Sequence, residues 1–489
     1  MLYRRPRLMI AALRGGSGKT LVSLGLIAAW RRHHGIRVAP FKKGPDYIDA
    51  GWLSLAAGEP CYNLDPFLMS ADEIVESFVG RSGACDISVI EGNRGLYDGL
   101  DARGSCSSAE LAKLLNVPVV LVVDATKVTR TTAALVLGCQ RLDPDVPVAG
   151  VIVNRVAGSR HERVVREAIE GSCGVPVLGV IPKEGVNFFP ERHMGLVPPQ
   201  EHGELQAAVV HVAERIREGV DLDGLREVAE RADALGWVPS SGSERNRLPG
   251  RAQVTIGIVR DAAFQFYYPE NLEALEKQGA ALKFIDGFQC EVLPPVDALY
   301  IGGGFPETHL NGLTTNKGLR DSIGQAVEKG LPVYAECGGL MFLSRGIHHQ
   351  GEFYPMCGVF PCDVVLERKP QGHGYAILEC VGENPFVPAG RLIRGHEFHY
   401  SKVVDLSPDV PLVFRVQKGH GIVEGWDGLC YKNCLAGYTH IHVVGNGFWA
   451  EALVRTAERY RRGEKTDEIT RRKGGVHYMG QAIEHNIIS

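Results

Sequence analysis

The sequence predicts an α/β fold, doubly wound in its first half, and three observations support this prediction. Short, β-branched apolar runs alternate with candidate helices in both halves of the chain. Such runs are typical of strands that are buried on both faces of a parallel sheet. A glycine-rich turn joins the first strand to the first helix. A stretch rich in Ser, Gly, Pro and Arg interrupts the pattern near residue 236, which indicates a second domain beyond it.

The predicted strands of the first domain, residues 1–235, follow one another at regular intervals. In chain order they are RLMIAAL, IRVAPF, DISVIEG, VPVVLVVDA, VAGVIVN and VPVLGVI. Candidate helices such as TLVSLGLIAAWRRHH lie between them. Because strands and helices alternate, the sheet is expected to be parallel, with helices on both faces.

The second half of the chain repeats this alternation after a predicted linker at 236–252. The second domain is predicted to span residues 253–455. Its first elements are VTIGIVRD, the helix NLEALEKQGA, LKFID, DALYIGGG, a helix at 317–329, and LPVYAEC. The charged tail, 456–489, is predicted to be a surface helix that frays into disorder.

Composition excludes several function classes. Hydrophobic residues make up 45% of the 489 residues and charged residues 22%, which is ordinary for a globular protein. A net charge of -4 and a pI near 6.5 argue against nucleic acid or a membrane surface as the main partner. The N-terminal apolar stretch is too short for a signal peptide, and no run has the length of a membrane span. Twelve scattered cysteines therefore predict reduced thiols and a cytoplasmic location.

The motif GGSGKT follows the first strand and opens a helix, which is the context of a phosphate-binding loop. Glycines let backbone N–H groups close around phosphate oxygens, and the helix N-terminus adds partial positive charge. Leu13 stands where the strict pattern has glycine, so the loop is a variant. A plain glycine-rich connection is the alternative interpretation. The residues predicted to bind nucleotide are Gly15, Gly16, Ser17, Gly18, Lys19 and Thr20.

Polar residues follow the next strands at the edge where this loop lies. Asp46 and Asp49 come after IRVAPF, and Glu91 ends DISVIEG. Because the carboxyl ends of parallel strands share one edge, Thr20, Asp46 and Glu91 are predicted to hold Mg²⁺. A turn or helix cap is the alternative for any single aspartate. Two further candidates are Asp98, on the loop after Glu91, and Asn154, which ends a later strand and is a weaker candidate to contact adenine.

Cys337, in AECGGL, has the sequence context of a nucleophile on a sharp strand-to-helix turn. A helix N-terminus lowers the pKa of a thiol, and a histidine is the usual base. His440 and His442, in GYTHIH, are the candidate bases. Gly303 and Gly338 are predicted to supply the N–H groups of an oxyanion hole. A buried core thiol is the alternative interpretation.

Several stretches together resemble one family, the cobyrinate a,c-diamide synthases. They are FKKGPDYID, EGNRGLYDG, RDAAFQFYYPENLE, YIGGGFPE, AECGGLMFL and RGHEFHYS. The resemblance runs from about residue 7 to about residue 450. It implies a P-loop domain of the dethiobiotin-synthetase type, followed by a class I glutamine amidotransferase domain with a flavodoxin-like fold. The family's loop usually carries an extra leading glycine or a threonine-serine pair, which this chain lacks.

The resemblance implies a ligase that uses ATP, Mg²⁺ and glutamine. ATP would convert a substrate carboxylate into an acyl phosphate, and Cys337 would release ammonia from glutamine. By hypothesis, ammonia travels between the domains, and amidation occurs twice, at side chains c and a. Tyr47, Asp49 and Asp98 would bind the corrinoid polycarboxylate. Amidotransferase domains of this family lack the acidic residue that usually follows the catalytic histidine, and His442 stands at that position. The resemblance therefore leaves the identity of the base open between His440 and His442, with His440 favoured.

The substrate and the assembly stay open. Hydrogenobyrinate and Ni-sirohydrochlorin present similar acetate arms to cobyrinate, and the sister cobyric acid synthases amidate other positions. A different class, a P-loop switch ATPase of the partitioning type, explains GGSGKT and leaves AECGGL without a purpose. A homodimer suits this type of ATPase domain, but the sequence does not set the oligomeric state.

Overall fold

The computed structural model describes residues 2–183, 191–192, 195–196, 198–199, 205–237 and 254–464. The chain divides into two compact units, Met1–Glu244 and Arg245–Ser489. Residues 238–252 of the predicted linker and 465–489 of the predicted tail lie outside the described residues. The predicted domain boundaries therefore stay predictions.

The strands of the first unit form mainly one sheet. They are β1 (Leu2–Tyr3), β2 (Arg7–Ala12), β3 (Val38–Lys43), β4 (Tyr62–Leu64), β5 (Ile87–Glu91), β6 (Val119–Asp124), β7 (Val148–Val156), β8 (Val177–Pro182), β9 (Glu191–Arg192), β10 (Gly195–Leu196) and β11 (Leu235–Gly236). Among the described residues, the main sheet has the order β4-β3-β5-β2-β6-β7-β8. Every pairing within it is parallel. All residues of β2 and β5 are buried, as their continuous apolar character predicts.

Helices connect these strands. They are α1 (Lys19–Ala29), α2 (Ile48–Ala57), α3 (Ala71–Ser82), α4 (Ser108–Leu114), α5 (Thr131–Leu142), α6 (Ser159–Cys173), α7 (Leu205–Gly219) and α8 (Leu222–Glu230). The helix predicted from TLVSLGLIAAWRRHH begins at Lys19 and continues as a π-helical turn at Trp30–His34. The predicted parallel α/β architecture is confirmed for this unit.

The second unit contains one large mixed sheet and a small one. Its strands are β12 (Val254–Val259), β13 (Ala280–Ile285), β14 (Ala298–Ile301), β15 (Val333–Glu336), β16 (Gly346–His349), β17 (Glu352–Pro355), β18 (Asp363–Leu366), β19 (Gly372–Cys380), β20 (Leu392–His399), β21 (Ser401–Val404), β22 (Leu412–Lys418), β23 (Trp426–Tyr431), β24 (Cys434–Gly437) and β25 (His440–Ile441). Its helices are α9 (Pro269–Lys277), α10 (Leu310–Thr315), α11 (Lys317–Glu328), α12 (Gly338–Leu343) and α13 (Phe448–Arg461).

The large sheet joins a parallel half to an antiparallel half. Among the described residues its order is β13-β12-β14-β15-β24-β23-β22-β19-β20-β25. The first five strands are parallel and follow the 2-1-3-4-5 order of flavodoxin-like folds. The remaining pairings are antiparallel. The flavodoxin-like prediction is therefore confirmed for the parallel half. No helix among the described residues combines the length and the apolar character needed to cross a membrane.

Candidate active sites

The phosphate loop connects β2 to α1 in a conformation that glycine makes accessible. Gly16 and Gly18 have φ values of 71° and 93°, in the left-handed region. A Cβ atom added at Gly18 would collide with Asn154 Nδ2. The same Nδ2 donates a hydrogen bond to Ser17 O, 2.9 Å away. Asn154 therefore supports the loop itself, and its contact with adenine stays a prediction.

Lys19 is the first residue of α1, and its side chain folds back over the loop. Its Nζ donates to Arg94 O at 2.8 Å and to Arg14 O at 3.3 Å. Burial lowers the pKa of Lys19, and nearby carboxylates oppose this effect. Backbone carbonyl oxygens on either side thus hold the ammonium group against the loop.

Buried charges adjoin the loop at the carboxyl edge of the sheet. Thr20 Oγ1 donates to Glu91 Oε1 at 2.9 Å. Lys42 Nζ donates to the same Glu91 oxygen at 2.7 Å and to Asp49 Oδ2 at 2.6 Å. Lys42 is 1% exposed and Glu91 is 0% exposed. The structure therefore brings Thr20, Glu91 and Asp49 together around a lysine that the sequence reasoning did not single out.

The electrostatics of this cluster follow from burial and from Lys42. Burial favours a lowered pKa for Lys42, but Asp49 and Glu91 outweigh it and raise that pKa. Burial acts to raise the pKa of Asp49, but Lys42 outweighs it, so that pKa is lowered. Burial raises the pKa of Glu91 against the opposing effect of Lys42. Lys42, Asp49 and Glu91 therefore form an ion triad whose charges depend on one another.

The other predicted residues of this edge have local structural roles. Asp46 Oδ1 accepts a hydrogen bond from Asp49 N at 2.9 Å, at the start of α2, and Tyr47 directly precedes that helix. Burial and the neighbouring Asp49 raise the pKa of Asp46 to about 7. Asp98 Oδ2 accepts from Gly95 N at 2.8 Å and closes the loop after β5. The carboxylates in contact with Lys42 near Thr20 are thus Asp49 and Glu91, while Asp46 accepts a hydrogen bond from the backbone of the first turn of α2.

The donor set of the cluster is suited to a hard divalent cation. Thr20 offers a hydroxyl oxygen, and Glu91 and Asp49 offer carboxylate oxygens. Glu91 Oε2 is buried and has no hydrogen-bond partner among the residues that the structure describes. No group of three or more His, Cys, Asp or Glu residues in the described part of the chain forms a metal cluster. Mg²⁺ needs no such cluster, because one or two carboxylates and phosphate oxygens hold it.

Cys337 lies on a strained turn between β15 and α12 in the second unit. Its φ of 49° and ψ of -100° are unusual for any residue except glycine. Its N–H donates to Gly437 O at 2.7 Å, which fixes the turn to the neighbouring strand β24. An added Cβ at Gly338 would lie 3.1 Å from Gly304 N. The glycines therefore allow the loop after β14 to lie against the thiol turn.

His440 is the imidazole that contacts this thiol. Burial acts to lower the pKa of His440, but a hydrogen bond with Cys337 and the carboxylate of Glu336 outweigh it and raise the pKa to about 10. Gly303 lies against the imidazole, since an added Cβ there would collide with it. Cys337, His440, Gly303 and Gly338 thus lie together, as the sequence predicts for a nucleophile, its base and the oxyanion-hole glycines.

His442 has a different environment. Its Nε2 lies 3.5 Å from Glu270 Oε1, and its Nδ1 accepts from Val444 N at 3.3 Å. The ring of Tyr268 lies 4.6 Å from the His442 ring, between centroids. The structure therefore pairs His440 with Cys337 and His442 with Glu270.

Two family models match the chain. A CobQ/CobB/MinD/ParA nucleotide binding domain matches residues 8–197. A CobB/CobQ-like glutamine amidotransferase domain matches residues 255–448. The first match includes the phosphate loop and its buried charges, and the second includes Cys337 and His440.

Curated relatives align over nearly their whole lengths. A cobyrinate a,c-diamide synthase of Magnetococcus marinus is 44% identical over 93% of this chain and 98% of the relative. The chain belongs to the cobyrinate a,c-diamide synthase family. The synthase of Archaeoglobus fulgidus is 40% identical over 92% of this chain and 97% of its own. That of Listeria innocua is 40% identical over 90% of this chain and 97% of its own.

Membership of the cobyrinate a,c-diamide synthase family confirms the resemblance seen in the sequence motifs. The roles of the individual site residues stay predictions. Two residues of the sites were missed by sequence reasoning, Lys42 and Glu336. Both stand inside motifs quoted for the resemblance, FKKGPDYID and AECGGLMFL. A charged residue at the end of an otherwise apolar buried strand was the signal available for each.

Proposed function

We propose that this protein is an enzyme that amidates the a and c carboxylates of cobyrinate with ATP and glutamine. One observation carries the proposal: Cys337 sits on a strained turn and is hydrogen-bonded to His440, in a chain whose other unit holds a phosphate loop. A carboxylate needs activation before amidation, and a stable nitrogen donor needs a nucleophile to release ammonia. The relatives described above are named for this reaction, and this chain aligns with 97–98% of their lengths.

The second unit supplies ammonia. The proton of the Cys337–His440 pair stands on His440, whose pKa is raised to about 10, and the thiolate attacks the side-chain carboxamide carbon of glutamine. N–H groups of the turn and of the loop at Gly303 stabilise the oxyanion. The carbon–nitrogen bond breaks, His440 returns the proton to the leaving ammonia, and a glutamyl thioester forms. Water then hydrolyses the thioester and gives glutamate.

The first unit activates the acceptor. A substrate carboxylate attacks the γ-phosphate of ATP and forms an acyl phosphate and ADP. The backbone of residues 15–18 and Lys19 bind the phosphates, and Tyr47, Asp49 and Asp98 are proposed to face the corrinoid polycarboxylate. Ammonia attacks the acyl carbon, the amide forms, and inorganic phosphate leaves. Two such rounds amidate side chains c and a.

Mg²⁺ is proposed to bind at Thr20 and Glu91. It would neutralise charge on the phosphate oxygens during transfer. In the structure Asp49 is paired with Lys42 beside this position, whereas Asp46 accepts a hydrogen bond from Asp49 N. We therefore propose Glu91 and Asp49 as the nearer carboxylates, with Asp46 acting through its hydrogen bond to Asp49 N.

ATP is the nucleotide, and the partners are small molecules rather than nucleic acid. A cytoplasmic location and a homodimer stay predictions from the sequence.

The function is tested by separating the two nitrogen sources. Cys337→Ala is expected to lose glutamine-dependent amidation and glutamine hydrolysis, because no nucleophile remains. Amidation with ammonium salts is expected to continue, because the phosphate loop is untouched. Cys139→Ala, which removes another buried thiol on α5, is the control and should retain both activities. A Cys337→Ala variant that still consumes glutamine at the normal rate would contradict the assignment.

The substrate is identified by mass. The wild-type protein is incubated with ATP, Mg²⁺, glutamine and either cobyrinate, hydrogenobyrinate or Ni-sirohydrochlorin. Two amidations of cobyrinate, with little reaction of the others, is the expected result. Amidation of another macrocycle in place of cobyrinate would support the proposed reaction type but would contradict cobyrinate as the substrate.

A further inference from the structure

Glu336 is a buried carboxylate next to the thiol site, and the chemistry above gives it no role. It is the last residue of β15, directly before Cys337, and is 0% exposed. Its Oε2 lies 3.8 Å from His440 Nδ1. A buried carboxylate is costly unless charged or polar partners compensate it. Its position between the nucleophile and the histidine therefore calls for a functional explanation.

Hydrogen bonds fix the Glu336 carboxylate in place. Its Oε1 accepts from Ile441 N at 3.0 Å, and its Oε2 accepts from Tyr300 OH at 3.1 Å. Ile441 is the residue directly after His440. In the large sheet β25 pairs with β20, and β15 pairs with β14 and β24. Glu336 thus links the strand that carries the thiol turn to the strand that carries the histidine, where the sheet ladder makes no such link.

Other buried titratable groups lie near His440: the carboxylates of Glu397 and Asp427 accept from the Thr439 hydroxyl, and two further imidazoles adjoin His440. His396, on β20, stacks against His440 with ring centroids 4.9 Å apart. Burial lowers the pKa of His396 well below its usual value, and burial lowers that of His399 to about 4. Both imidazoles are therefore neutral at neutral pH. Cys337 and Glu336 both act to raise the pKa of His440, against the effect of burial.

We propose that Glu336 is the positioning residue of the thiol site, orienting the His440 imidazole toward Cys337 and stabilising its positive charge. This inference rests on the proposed function. The proton stands on His440 and later passes to the leaving ammonia, and Glu336 takes no part in this transfer. The carboxylate thus plays the part that an acid plays in a nucleophile–histidine–acid triad, although it comes from the residue before the nucleophile.

The test is Glu336→Gln, which keeps the shape and the acceptor oxygen but removes the charge. Glutamine hydrolysis is expected to fall about 100-fold in kcat, with KM for glutamine little changed. The high-pH side of the kcat/KM profile is expected to move to lower pH by about 1–3 units, because removing a neighbouring anion lowers the pKa of an imidazolium. Ammonium-dependent amidation should stay at the wild-type rate, which shows that the chain is folded.

Two further variants make the result specific. Glu270→Gln removes a second fully buried carboxylate, beside His442, and should leave the pH profile in place. Glu336→Asp keeps the negative charge but shortens the side chain by one methylene. It should therefore lower kcat and leave the high-pH limb of the kcat/KM profile where it is in the wild type. Glu336→Asp also serves as the test if Glu336→Gln does not fold. A shift of the high-pH limb of its kcat/KM profile to lower pH would then contradict the proposal.

The outcomes separate this inference from the proposed function. A Glu336→Gln protein with wild-type kcat and an unshifted profile would overturn the role of Glu336 alone. A shift caused by Glu270→Gln in its place would make His442 the base. A wild-type protein that does not hydrolyse glutamine would overturn the proposed function itself.

Discussion

Lys42 lies between two carboxylates that would repel each other without it. Its ammonium group is 2.6 Å from Asp49 Oδ2 and 2.7 Å from Glu91 Oε1. The two close partners offset the desolvation cost of burying this charge, and removing Lys42 would leave two carboxylates buried without a compensating cation. At the scale of the single residue, Lys42 therefore decides the charge state of the carboxylates next to Thr20.

Lys42→Met is expected to destabilise the protein more at pH 8 than at pH 5. In the wild type Lys42 lowers the pKa of Asp49, so the ion pair contributes stability above the unfolded pKa and loses it as pH falls. In the variant, burial alone raises the pKa of both carboxylates, so their charges cost free energy as pH rises. The loss at pH 8 should approach about 3–5 kcal/mol, measured by urea unfolding.

Lys113→Met is the matched control for this measurement. Lys113 pairs with Asp143 at 2.7 Å and with Glu110 at 2.8 Å, but its side chain is partly exposed. Solvent screens such pairs, so the expected change is small at both pH values. An equal loss at pH 5 and pH 8 for Lys42→Met would show that Lys42 acts through packing and not through charge.

At the scale of elements, the short strand β25 holds His440 in place. It pairs with β20 through Gly395–Ile441 and His396–His440. The Asn271 side chain, on α9, accepts from Val443 N at 2.8 Å and donates to Ile441 O at 3.0 Å. So short a strand depends on these side-chain contacts for its position.

Gly395→Ala is expected to move β25 away from the thiol. An added Cβ at Gly395 would collide with His440 O and with Thr439 Cγ2, so the strand has to shift. A displacement of about 1 Å can lower a rate about 100-fold, and glutamine hydrolysis should fall by this order. Ammonium-dependent amidation should persist. The measurement compares both nitrogen sources in one preparation.

Gly447→Ala is the control for this substitution. Gly447 lies a few residues after β25 with a φ of -55°, and an added Cβ would lie 3.9 Å from Val443 O, an ordinary contact. It should leave glutamine hydrolysis near the wild-type rate. Equal activities of the two alanine variants would show that β25 tolerates displacement.

Sequence reasoning located the parts of each site that follow from chain order. Thr20 and Glu91 could be placed together because parallel strands end at one edge of a sheet. Cys337 could be placed on a turn because strand, cysteine and glycines are consecutive. Most strands of the parallel sheets were recognised because their apolar runs are continuous, whereas the short strands β4 and β24 were not predicted.

Other contacts depend on pairings that sequence periodicity does not reveal. Glu336 meets His440 because an antiparallel half, β23-β22-β19-β20-β25, extends the parallel sheet. The strands of residues 346–437 were not predicted, since their alternation is interrupted by many turns. The sequence shows Lys42 only as one of two adjacent lysines. Its ion-pair partners Asp49 and Glu91 lie in other segments of the chain. Long-range packing decides these contacts.

At the scale of the whole molecule, each unit has its own sheet and its own buried core. Buried apolar residues occur along β2 and β6 in the first unit and along β12 and β14 in the second. Units of this size commonly unfold as separate cooperative steps. The stability of each unit should therefore respond to its own ligand.

Calorimetric unfolding is expected to show two transitions, of which Mg²⁺ with a non-hydrolysable ATP analogue raises one. A ligand that binds the folded state stabilises it by about 2.7 kcal/mol at 100 times its Kd. Lys19→Ala should abolish this shift, because the ammonium group over the loop is lost, and should leave the other transition where it was. Cys337→Ala should keep the shift, because its substitution lies in the other unit. A single transition that moves as a whole with nucleotide would show that the two units unfold as one.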